Sequence, residues 1–139
     1  MKITTTAKRQ LLTELTFVVK NMRDTTNASE KLYYFSALYG MAQRLMNLDF
    51  DSELCFLFQV LQLSYQMINT RVVALQSGQE KGIRIPENLF GSLENYLQEL
   101  GDTINKEENT CPILQKILNI AYITTGNGYY LYLKGQLKV

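Results

Sequence analysis

The stretch DSELCFLFQVLQLSYQMINTRVVALQSG, residues 51–78, decides the fold. It contains no proline, and its first glycine is Gly78. A run this long without a breaker predicts a helix from about Asp51 to Ser77. Acidic residues at its start oppose the helix dipole, and Gly78 is the stop. At ~1.5 Å per residue such a helix is about 40 Å long. It is the least charged segment of the chain, which predicts a central position. A membrane span is excluded. Gln59, Gln62, Ser64, Gln66, Asn69, Thr70 and Arg71 interrupt the apolar run, and an arginine at mid-membrane costs about 2.5–3.5 kcal/mol.

Advancing about 100° per residue around this helix separates two sectors. Cys55, Gln59, Gln62, Gln66, Asn69, Thr70, Val73 and Gln76 share one, polar and uncharged. Phe56, Leu57, Val60, Leu61, Met67, Ile68, Val72, Ala74 and Leu75 share the other. Ser64 and Arg71 fall within the apolar sector.

Helical periodicity extends outward on both sides. From about Thr6 to Arg23, Ala7, Leu11, Leu12, Leu15, Val18, Val19 and Met22 share a face. Asn27-Ala28-Ser29-Glu30 reads as a capping box that opens a helix from Ala28 to Asn47. After the long helix, Pro86 is placed to open a fourth, with Leu89, Leu93, Leu97, Leu100 and Ile104 in one stripe. Thr110-Cys111-Pro112 starts a fifth. Its end reads two ways: a turn at Gly126-Asn127-Gly128 before a strand at Tyr129–Leu133, or continued helix with Gly128 admitting a close neighbour. No other segment offers a strand partner, which favours helix. The expected fold is all-α: an up-and-down antiparallel bundle of four long helices plus one additional helix, in a single domain over residues 1–139.

The 139 residues suffice for a buried core. Hydrophobic residues make up 46% of the chain, which excludes an intrinsically disordered chain. Net charge is +1, so binding to nucleic acid by bulk charge is not expected. The charge is unevenly spread, +4 over residues 1–44, −6 over 45–110 and +3 over 111–139. That fits either a self-complementary assembly or local balancing, with both basic ends beside the acidic fourth helix. The start of the chain has no apolar signal core, and Cys55 and Cys111 form no disulfide framework. The expected location is the cytoplasm.

Chemistry is sparse. There is no histidine, hence neither the commonest general base nor the commonest metal ligand. No phosphate-binding glycine loop, nucleophile elbow or Cys-x-x-Cys pair occurs. The Glu99/Asp102 pair lacks a facing acidic pair. No catalytic residue, metal site or cofactor is expected.

Two other features remain. Gln59, Gln62, Gln66 and Asn69 repeat at helix-seam spacing on a face where lysine and glutamate are usual. The row predicts an interface with a second copy or a protein partner, the alternative being an ordinary solvent face. Arg71 in an apolar sector must be paired. It either holds an anionic ligand, with Ser64, Tyr34 and Tyr39 as hydroxyl donors, or makes a structural contact, as with Glu14 or Glu94 or at the helix end. The leading expectation is a non-enzymatic, self-associating interaction module. A small-molecule binding bundle is the alternative.

Overall fold

The computed structural model describes residues 1–78 and 82–139. Six α-helices are present among them: α1 (Thr5–Arg23), α2 (Ala28–Leu48), α3 (Ser52–Gln76), α4 (Leu89–Asn105), α5 (Cys111–Tyr122) and α6 (Gly126–Leu133). The expected all-helical bundle is found, with no strand among the described residues.

Short-range chemistry sets the starts. The Thr4 hydroxyl accepts from the Ala7 amide at 3.1 Å. Asn27 Oδ1 accepts from the Glu30 amide at 3.0 Å, and Asp51 Oδ2 from the Leu54 amide at 3.0 Å. Each satisfies one orphan N–H of a first turn. The α2 cap has an extra member. The Glu30 carboxylate accepts from the Thr25 hydroxyl, which itself accepts from the Asn27 amide. Gly78 terminates α3 at φ +72°, a left-handed conformation that glycine adopts without a Cβ clash.

Two expectations about the elements are corrected. Pro86 does not open α4; its carbonyl accepts from the Leu89 amide in a turn, and the helix begins at Leu89. The chain after α5 does not run on as the same helix. The Thr124 and Thr125 hydroxyls turn back to the carbonyls of Ala121 and Tyr122. Thr125 then caps α6 by accepting from the Gly128 amide at 3.1 Å. Gly128 does admit a close neighbour, the chain itself. A Cβ there would stand 1.8 Å from the Tyr122 carbonyl oxygen.

Packing neighbours run α1·α2, α2·α3, α3·α5, α5·α4 and α4·α1, which closes a ring of five helices. α3 is an ordinary member of that ring with two neighbours and an exposed face, not the central element. The helices alternate in direction along the chain, but a ring with an odd number of members cannot alternate throughout. The parallel pair is α3·α5. Arg71, near the end of α3, bonds to Thr124, just past the end of α5. Glu53 and Thr110, at the starts of α3 and α5, line one small cavity at the opposite end. Buried side chains from α1 to α5 meet in one core, with Phe35, Leu38, Leu57, Leu61 and Leu93 inaccessible to solvent.

Charge balances locally. Acidic α4 lies between basic α1 and α5. Lys8 pairs with Glu107 at 3.2 Å and Lys116 with Glu99 at 3.6 Å.

Candidate functional site

Arg71 is buried, and its Nε donates to the Thr124 carbonyl at 2.8 Å. A cation at that carbonyl suits the electronegative end of α5. Ser64 lies two turns earlier on the same inward side of α3, fully buried. The two tyrosines point elsewhere. Tyr34 sits edge-on against Phe17 of α1, with ring centroids 6.3 Å apart. Tyr39 packs on Tyr65 of α3 at 5.2 Å. Glu94 is occupied by Lys31, whose Nζ reaches its carboxylate at 2.7 Å and also donates to the Met22 carbonyl.

A groove of about 540 Å³ lies between α1 and α4. Leu12, Leu15, Val19 and Leu97 form its apolar lining, and Gly101 widens it. The groove has the volume of a small-molecule site. Its rim carries Lys20 and Arg23 together with Asp24 and Asp102, which gives no preferred ligand charge. None of Arg71, Ser64, Tyr34 and Tyr39 lines it. Among the described residues no set of three histidine, cysteine, aspartate or glutamate side chains is placed to hold a metal ion. No helix among them is long and apolar enough to cross a membrane.

The outer face of α3 is the most distinctive surface. Gln59 and Gln66 are exposed, while Gln62 and Asn69 are half-buried. The exposed stripe is Phe56, Gln59, Leu63, Gln66, Thr70 and Val73. Its alternating steps of three and four are those of a coiled-coil seam. Phe56, assigned inward by its hydrophobicity, is 42% exposed; Leu63 is 46% and Val73 53% exposed. The Gln59/Gln66 half of the row is therefore flanked by large apolar groups, which the amide pattern alone did not show. The signal was in the sequence as a second three-four register, offset from the glutamine row.

Charge is absent from this face. Between Glu53 and Gln76 the only charged residue of α3 is the buried Arg71. On α5, which flanks it, the only charged residue is Lys116. That side chain turns toward α4, to Glu99 and over the Tyr96 ring.

Compared with protein-family models, with curated proteins and with solved structures, the chain matches none.

Proposed function

We propose that this protein is a non-enzymatic, self-associating interaction module, with the outer face of α3 and its α5 flank as the contact surface. The observation that carries the reading is the exposed Phe56–Val73 stripe: apolar and amide groups at seam spacing, with no charge. Side chains on an exposed helix face are ordinarily charged on the side away from the core. A face without charge suits a second copy of itself. Identical charges would repel across a two-fold axis, whereas glutamine amides both donate and accept.

The dimensions are those of a small interface. α3 has 25 residues and α5 has 12. Two helix surfaces each ~10 Å wide give about 550 Å² of projected area. That approaches the lower end of a standard interface, ~600 Å² per partner. Cys55 and Cys111 are free thiols, which supports the reducing cytoplasm as the place of action.

The test is sedimentation velocity of the parent protein and of Leu63→Glu combined with Gln66→Glu. Both positions are exposed, so the fold is retained by circular dichroism while the associated species is lost. A parent that sediments as a monomer well above micromolar concentration overturns the reading, as does a variant with an unchanged mass distribution.

A further inference from the structure

We infer that two copies meet through this face in antiparallel orientation, about a two-fold axis that passes between Leu63 and Gln66 of α3. The inference rests on the self-association reading and adds the direction and register of the partner.

The direction follows from the odd ring. Four of its five neighbouring helix pairs are antiparallel, so their dipoles oppose one another. The α3·α5 pair is parallel, so its two dipoles add. Each helix end carries roughly half an elementary charge, positive at the N-terminus and negative at the C-terminus. The contact face is therefore the one side of the bundle where two neighbouring helix dipoles add, their sum offset only in part by Asp51 at the start of α3 and Arg71 at the end of α5. An antiparallel second copy sets the α3·α5 pair of one chain against the reversed pair of the other and cancels it. A parallel copy would align four helices.

Side-chain charge points the same way. Asp49 and Asp51 stand at the start of α3, and Glu108 precedes α5. A parallel arrangement would bring these groups beside their own copies, and facing like charges are unfavourable. An antiparallel one separates them by the length of α3. It also carries them toward the end that holds the exposed Arg84, Lys134 and Lys138, alongside the exposed carboxylate of Glu87.

The register follows from the stripe. About its midpoint, Phe56 meets Val73 of the second copy, Gln59 meets Thr70, and Leu63 meets Gln66. The outer pairs match apolar with apolar and polar with polar.

Disulfide trapping tests this with Cys55 and Cys111 replaced by serine. A disulfide forms only between Cα atoms within about 7 Å. An equimolar mixture of Phe56→Cys and Val73→Cys proteins, mildly oxidised, is expected to give the mixed cross-linked dimer, and neither variant alone a dimer. Gln59→Cys mixed with Thr70→Cys repeats the test at positions less exposed to loss of packing. Self-cross-linking of Phe56→Cys alone overturns the antiparallel direction. No cross-link in either mixture, with the dimeric mass retained, overturns the register and leaves self-association standing. A monomeric parent overturns both.

Discussion

Replacing Lys31 with methionine is expected to destabilise this protein more than any surface charge change. Lys31 Nζ lies 2.7 Å from Glu94 Oε2, and the two side chains are only 12% and 8% exposed. The same ammonium donates to the Met22 carbonyl in the last turn of α1. One charge thus joins α2, α4 and the end of α1. Methionine keeps most of the apolar stem, so the packing loss is small. What remains is a carboxylate enclosed without its cation. Breaking a buried pair from one side costs about 3–5 kcal/mol. For a chain of this length that is a fall in melting temperature of roughly 10–20 °C. Urea denaturation followed by circular dichroism measures the loss, and Lys31→Met with Glu94→Leu completes a double-mutant cycle. The double variant should recover most of the stability, since an apolar replacement of both partners is often neutral or better. A loss below about 1 kcal/mol for Lys31→Met would match an exposed pair and would refute the claim that this contact is enclosed.

Three further outcomes follow from single contacts. Gly128→Ala drives a Cβ into the Tyr122 backbone, which cannot move as a side chain can; a loss of at least ~1–3 kcal/mol is expected in the same denaturation assay. Ser64→Ala should be neutral or stabilising by up to about 1 kcal/mol, because its fully buried hydroxyl has no hydrogen-bond partner among the described residues; a clear loss would show that the hydroxyl is satisfied. Asp51 loses some hydration to burial, which raises its pKa, but the Leu54 amide, the Lys2 amide, the N-terminal ammonium and the Glu53 amide outweigh this and hold it below the ordinary 3.8. Its stabilising contribution is therefore complete above that value and drains away as pH falls below it, so Asp51→Asn should flatten the acid limb of a plot of urea midpoint against pH.

The parts of the fold legible in the sequence are those decided within a few residues. Asn27 and Asp51 cap helices because a short acceptor beside orphan amides works wherever the chain goes next. Gly78 ends α3 for an equally local reason. The start of α4 escaped the same rules. Pro86 is compatible with a first helical turn, but the chain forms a separate turn there before Leu89. Nor was the division of α5 from α6 readable from periodicity. Ile117, Ala121, Thr124 and Gly128 recur at helical spacing, and it is the Thr124 and Thr125 hydroxyls that favour carbonyls of the preceding turn and break the run.

Ring order was the larger omission, and the candidate site depends on it. Arg71 and Glu94 read as partners by burial and charge alone. Yet Arg71 faces α5, while Glu94 on α4 reaches past the end of α1 to Lys31 on α2. No local pattern distinguishes these arrangements, because each uses the same side chains. The order that resolves them also leaves one parallel pair, since five helices in a ring cannot all oppose their neighbours. That pair bears the uncharged stripe. The residue types of α3 give the proposed contact surface no direction, and only the closure of the ring gives it a polarity. An assembly through α3 should therefore be sensitive to direction, whereas a purely apolar contact would tolerate either orientation.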